Sequence, residues 1–108
     1  MEVKREDQGP VTVLHLFGQL DLFTAKEFRQ TIQALAEEGR GRIILDFEAA
    51  TYLDSSGVGA LLHVYSGAKN GGYDLRFVNL SGSVAHVIEL TKLTDYFPIR
   101  QSLQEAMA

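Results

Sequence analysis

The stretch "TYLDSSGVGALL", residues 51–62, places a carboxylate and two hydroxyls directly before an apolar run that glycines interrupt. Apolar side chains recur from there at helical spacing, at Val58, Leu61, Leu62, Tyr65 and Ala68, as far as the "NGG" of residues 70–72. Asp54, Ser55 and Ser56 therefore stand at a helix N-terminus, where free backbone N–H groups and the helix dipole favour an anion. The stretch predicts either a helix cap or a place for phosphate, bound as a ligand or attached to a serine.

The residues before this stretch predict two strands, a helix and a third strand. A charged strand "EVKRE" (2–6) and a turn "DQGP" (7–10) lead into a strand "VTVLHLFG" (11–18) that ends at Gly18. The helix "TAKEFRQTIQALAEEG" (24–39) follows, and "RIILDF" (42–47) is a buried strand. The first two strands are expected to form an antiparallel hairpin.

The start of the first helix carries two local signals. Thr24 and Glu27 have the spacing of a capping box, and Phe23 and Phe28 occupy the positions of a hydrophobic staple. The apolar face is expected at Ala25, Phe28, Ile32 and Leu35, and Gly39 is expected to end the helix.

After the second helix the alternation continues. "DLRFVNL" (74–80) is a strand, "SGSVAHVIELTKL" (81–93) a helix, "YFPI" (96–99) a short extended piece, and Ser102 with Glu105 a capping box for a last helix. The order β-β-α-β-α-β-α-(β)-α predicts a single α/β domain over residues 1–108, with a mixed four- to five-stranded sheet and about four helices.

Composition excludes several classes of function. The net charge of −4 opposes binding to nucleic acid, and the chain has no cysteine. His15, His63 and His86 lack the spacing of metal ligands, so no metal is expected, and no serine nucleophile has a base. Gly57 and Gly59 begin a dinucleotide fingerprint that Leu62 breaks, so no cofactor is expected. With no secretory signal and no run of about 20 apolar residues, a cytoplasmic protein without membrane insertion is expected.

Two interpretations of the "DSSG" segment remain. Asp and Ser are preferred caps, so a plain cap is the commoner meaning, but one serine suffices for it and the other is left without a role. In "GQLDLFT" (18–24), Asp21 stabilises a turn or contributes to a site. Because parallel crossovers bring the carboxyl ends of neighbouring strands together, Asp21 and Asp54 are expected to flank one surface.

Taken together, "VTVLHLFGQLD", "TAKEF", "IILDF", "YLDSSGVGALL", "LRFVNLS" and "SLQEAMA" resemble STAS domains, and among them the bacterial anti-sigma factor antagonists. The resemblance implies that Ser55, the first serine after the aspartate, accepts a phosphate. It implies an anti-sigma factor as partner, which is also an ATP-dependent serine kinase, and a PP2C-type phosphatase that restores the free hydroxyl. The unphosphorylated protein would bind the kinase and free the sigma factor, so this chain would be a substrate and not an enzyme.

On that basis the partner-binding residues are expected to be Asp21, Asp54, Ser55, Ser56 and Gly57. Asp21 and Asp54 would shape the kinase-facing surface, or Asp54 would orient the Ser55 hydroxyl, and Ser56 would cap the helix. Two alternatives stay open: a STAS scaffold or transporter-associated subunit that is never phosphorylated, and a nucleotide-binding module. No basic residue lies within 51–62 to hold a triphosphate, which disfavours the second alternative.

Overall fold

The apolar runs of the sequence form the strands of one sheet, and the periodic segments form helices packed against it. The computed structural model describes residues 1–108. Its elements are β1 (Glu2–Gln8), β2 (Val11–Leu20), α1 (Ala25–Glu37), β3 (Arg42–Asp46), β4 (Ala50–Leu53), α2 (Ser55–Gly71), β5 (Asp74–Val78), α3 (Gly82–Leu90) and α4 (Leu103–Met107). The predicted α/β class, with a mixed sheet of five strands and four helices, is confirmed.

The sheet has the strand order β1-β2-β3-β5, and β4 pairs with the C-terminal part of β2. β1 and β2 form the expected antiparallel hairpin, while the β2–β3, β2–β4 and β3–β5 pairs are parallel. β1 is an edge strand and is exposed along its whole length, which suits its charged sequence. None of the helices combines the length and hydropathy needed to cross a bilayer.

The two faces of the sheet differ in what covers them. On one face the expected apolar stripe of α1 is buried, and it packs with residues of α2, α3 and the strands in the larger core cluster. On the other face, Val13, Ile44 and Val78 pack under Ala106 of α4 in a smaller cluster. The face covered by α1, α2 and α3 therefore holds most of the buried apolar residues, and their burial is the main stabilising contribution to the fold.

α1 begins directly after Thr24 and is followed by the expected glycine, as predicted, but the capping-box hydrogen bond and the staple are wrong. The Thr24 hydroxyl forms no cap bond, because it donates to the Gln19 carbonyl at 3.0 Å and accepts from the Asp21 N–H at 2.9 Å. Phe23 is 89% exposed and makes no staple with Phe28. Gly39 has a φ of 82°, and its N–H donates to the Ala36 carbonyl in the manner of a helix C-terminus.

Two strand assignments also need correction. β2 does not end at Gly18 but continues to Leu20 through a register irregularity between Gly18, with a φ of 90°, and Gln19. The strand that the sequence missed is β4, while the segment 96–99 forms only an isolated bridge between Phe77 and Ile99. Ser102 does cap α4, since its hydroxyl accepts from the Glu105 N–H at 3.1 Å.

The buried carboxylate at the end of β3, Asp46, links this strand to β2 and to the residue that follows β5. Asp46 accepts hydrogen bonds from His15 Nδ1 at 2.7 Å, from Asn79 Nδ2 at 2.8 Å and from the Glu48 N–H at 3.0 Å. His15 Nε2 lies 3.0 Å from a Glu6 carboxylate oxygen, so the protonated ring donates to two carboxylates. Burial acts to raise the pKa of Asp46, but the bonds from Asn79, Glu48 and His15 outweigh burial and lower this pKa.

Stability is expected to depend on pH through His15. The hydrogen bond to Glu6, with that to Asp46, raises the pKa of His15 against the opposing effect of burial. A raised pKa stabilises the fold fully below the unfolded value of about 6.5, and this contribution is lost as pH rises through the folded value. The free energy of unfolding, measured with urea, should decrease by about 1 kcal/mol when the pH is raised from near 6 to near 8.

The variant His15→Gln should flatten that decrease, because glutamine carries no proton that titrates in this range. His86→Gln is the matched control, since His86 is exposed on α3 and makes no side-chain hydrogen bond. An unchanged pH dependence in His15→Gln would contradict the assignment.

Candidate functional site

Asp54 caps α2, and the predicted cap by Ser56 is wrong. The backbone of Asp54 is extended (φ −108°, ψ −173°), and its carboxylate accepts from the Gly57 N–H at 2.9 Å. A residue directly before the helix can reach the third free N–H in this way, whereas Ser56 already lies inside the first turn. The Asp54 carboxylate therefore caps α2, a role that the sequence analysis assigned to Ser56.

Neither serine of the "DSSG" segment has a partner within the protein. Ser55 is the first helical residue and is exposed, and Ser56 is partly buried. Neither hydroxyl hydrogen bonds to a protein atom, and the histidine side chain that does form hydrogen bonds, His15, binds Asp46 and Glu6. Ser55 therefore offers an accessible hydroxyl at the positive end of a helix of 17 residues.

The structure brings the Asp21 turn and the "DSSG" loop side by side, as the sequence predicted, but through β4 rather than β3. Leu20 at the end of β2 is paired with Leu53 at the end of β4, and the Asp54 N–H donates to the Leu20 carbonyl at 3.4 Å. Asp21 itself closes its turn, because its carboxylate accepts from the Phe23 N–H at 2.9 Å. The two loops form one continuous surface at this end of the sheet.

Gly57 allows α2 to approach β2 closely. A Cβ at this position would lie 2.3 Å from the Leu20 carbonyl oxygen and 2.5 Å from Leu53 Cδ1. Gly57 is itself buried, so its contribution to the site is to position the loop rather than to present a side chain.

Exposed apolar side chains accompany the loop, and sequence reasoning did not find them. Phe23 is 89%, Leu22 68% and Tyr52 45% exposed. Phe23 and Leu22 follow Asp21, and Tyr52 stands two residues before Asp54. The only sequence signal was Phe23, whose apolar character was attributed to a staple on α1. Exposed aromatic and aliphatic groups of this kind commonly mark protein interfaces.

Two cavities of the molecule lie away from this surface. One of about 420 Å³ is a groove between α1 and α2 lined by Arg29, His63 and Tyr73 among others, and one of about 450 Å³ is lined by Lys69 and Arg100 among others. Neither is lined by any residue of 51–62. An accessible hydroxyl outside these cavities, beside apolar side chains, suits a protein partner better than an enclosed small molecule.

The chain is similar in sequence to a family of known proteins. The STAS domain model matches residues 2–106 of the chain. The anti-sigma-B factor antagonist of Bacillus subtilis (strain 168) is 30% identical over 96 residues, which cover 88% of this chain and 85% of the relative.

Two solved structures show the same fold. The anti-sigma factor antagonist SpoIIAA in its unphosphorylated form is 26% identical, with a TM-score of 0.81 and coverage of 98% of this chain and 93% of that chain. The phosphorylated form of SpoIIAA, described as a Bacillus cell fate determinant, is 25% identical, with a TM-score of 0.73 and coverage of 98% and 96%.

Proposed function

The chain belongs to the STAS domain family, and we propose that it is an anti-sigma factor antagonist that changes partners when Ser55 is phosphorylated. One observation carries the proposal: Ser55 presents an exposed hydroxyl without a protein partner, while Asp54 supplies the cap. The relatives described above support it, since they are named as anti-sigma factor antagonists and SpoIIAA is known in a phosphorylated form.

In this function the partner is an anti-sigma factor that is also a serine kinase. The kinase transfers the γ-phosphoryl group of ATP to the Ser55 oxygen, the hydroxyl proton leaves to a base of the kinase, and ADP is released. The unmodified chain binds the anti-sigma factor in the cytoplasm and so frees the sigma factor. A PP2C-type phosphatase hydrolyses the phosphoserine and restores the binding form.

Charge explains how one modification reverses binding. Phosphate adds about −1.5 to −2 charges at neutral pH, next to Asp54 and on a chain whose net charge is −4. In the free protein the N-terminus of α2 stabilises this charge, by about 0.3–1 kcal/mol. At an interface built around a neutral hydroxyl, the same charge is desolvated without a counter-ion, which costs several kcal/mol. The phosphorylated domain therefore stays folded and leaves its partner.

Intact-mass spectrometry tests the assignment. The purified chain is incubated with ATP and each anti-sigma factor kinase of the source genome, and fragmentation then locates the phosphate. One phosphate on Ser55 is expected, and none on Ser55→Ala, whereas Ser56→Ala should be modified like the wild type. Stoichiometric phosphate on Ser55→Ala would move the site to Ser56. A chain that no kinase modifies, and that instead captures transporter components, would support the unphosphorylated scaffold.

A further inference from the structure

Gly59 is an exposed glycine of α2, and nothing in the fold requires a glycine there. A Cβ built at Gly59 would meet no heavy atom within 4 Å. Its backbone is helical, so alanine would be accommodated without strain and would favour the helix. Glycine at this position therefore makes α2 less stable than alanine would, and it allows no closer packing within the protein.

The position of Gly59 connects it with the modified serine. Gly59 follows Ser55 by four residues, so both lie on one face of α2, about 6 Å apart. A partner that covers the Ser55 hydroxyl is therefore expected to lie over Gly59 as well. This step rests on the function proposed above.

The Asp21 turn lies beside the loop that precedes α2, and it carries an exposed aromatic residue, Phe23. The backbone N–H groups of Phe23 and Thr24 both donate to the Asp21 carboxylate, at 2.9 and 3.2 Å. This turn orders the loop, and Phe23 still remains 89% exposed. Because the backbone of the turn is already ordered, a partner that covers Phe23 has to fix only the torsions of its side chain.

We propose that Gly59 is where a main-chain segment of the anti-sigma factor kinase approaches α2 most closely, with Phe23 as an apolar contact on the same surface. The missing side chain lets two backbones come into contact beside the Ser55 hydroxyl. Gly59 thereby helps to determine which kinase binds. The lower helix stability that glycine causes in α2 follows from this close contact between the two backbones.

The test compares Gly59→Ala with Gly67→Ala. Gly67 is also an exposed glycine of α2, but it lies twelve residues beyond Ser55, about 18 Å along the helix. A Cβ there would make an ordinary contact, 3.6 Å from the Tyr73 hydroxyl. Both substitutions are expected to raise the melting temperature, by roughly 2 to 8 °C.

Calorimetry then measures the affinity of each unphosphorylated variant for the purified kinase that binds the wild type. Gly59→Ala should weaken binding at least about tenfold, while Gly67→Ala should bind within about twofold of the wild type. Only Gly59→Ala is expected to combine a higher melting temperature with a lower affinity for the kinase.

Three results would overturn the inference: equal affinity of Gly59→Ala and the wild type, equal weakening by both substitutions, or a lower melting temperature for Gly59→Ala. If the wild type is phosphorylated on Ser55 while Gly59→Ala binds normally, only this inference fails. If no kinase binds or modifies the wild type, the proposed function fails, and this inference fails with it.

Discussion

Gly57→Ala is expected to lower the free energy of unfolding by about 3 kcal/mol, although alanine is the better helix former by about 1 kcal/mol. The added Cβ would lie 2.3 Å from the Leu20 carbonyl oxygen, a backbone atom that cannot rotate away. It would also lie 2.5 Å from Leu53 Cδ1, and the Leu53 side chain is itself buried. Urea unfolding monitored by circular dichroism measures the difference.

The matched control is Gly59→Ala, two residues along the same helix, where the same methyl group has open space. The two substitutions should therefore change stability in opposite directions. Gly57→Ala should also lower the rate of Ser55 phosphorylation, because a shift of α2 that relieves the clash would move the N–H of residue 57 away from the Asp54 carboxylate and displace the loop before Ser55. A Gly57→Ala variant as stable as the wild type would show that α2 can shift on β2 at little cost.

Periodicity and apolar runs were sufficient to predict the main elements of this fold. The buried face of α1 and the alternation of Leu75 and Phe77 in β5 follow from the burial of apolar surface, which the sequence encodes directly. β4 was missed because only Leu53 of its four residues is buried, so it has no apolar run, and its pairing with β2 depends on tertiary structure. Short, mostly exposed strands of this kind have too little hydrophobic pattern to be recognised from the sequence alone.

Local cap rules failed where two hydrogen-bonding groups compete. Thr24 has the spacing for a capping box, but the Asp21 N–H and the Gln19 carbonyl engage its hydroxyl first. At α2 the competition is between Asp54 and Ser56, and the extended backbone of Asp54 decides it. A spacing rule names the residues that can cap, and the path of the preceding chain selects among them.

The location of the candidate site was more predictable than its surface. The order of elements along the chain and the "DSSG" composition were enough to place Ser55 at a helix N-terminus beside the Asp21 turn, although the strand that brings the two together, β4, was missed. The close approach at Gly57 depends on how α2 sits against β2, which no local pattern reports. The exposure of Phe23 was missed because the residue has the spacing of a staple that does not form.

Ser55→Glu is expected to weaken binding to the anti-sigma factor by about a hundredfold or more, while Ser55→Ala keeps the wild-type affinity and can no longer be released. Glutamate places a negative charge at the first residue of α2, close to the Asp54 carboxylate and within the surface that the partner covers. Alanine keeps the site neutral, and the lost hydroxyl has no protein partner to leave unpaired. Calorimetry with the purified partner compares the two variants.

The stability of Ser55→Glu separates a binding effect from a folding effect. A negative charge at a helix N-terminus is favourable, by about 0.3–1 kcal/mol, so the melting temperature should stay at or slightly above that of the wild type. A large decrease in melting temperature together with lost binding would instead indicate that the loop had been disrupted.

Ser66→Glu separates the local charge from the charge of the whole chain. Ser66 is exposed on the same helix, eleven residues or about 16 Å beyond Ser55, which is twice the screening length of about 8 Å at physiological salt. If phosphorylation acted only by making a chain of net charge −4 more negative, both glutamate variants would weaken binding alike, and added salt would restore it. Because desolvation of a charge inside an interface is hardly screened, Ser55→Glu should stay weak at high salt, whereas Ser66→Glu should bind like the wild type throughout. Equal affinity of Ser55→Glu and the wild type would contradict the proposed switch, since the charge alone is argued to release the partner.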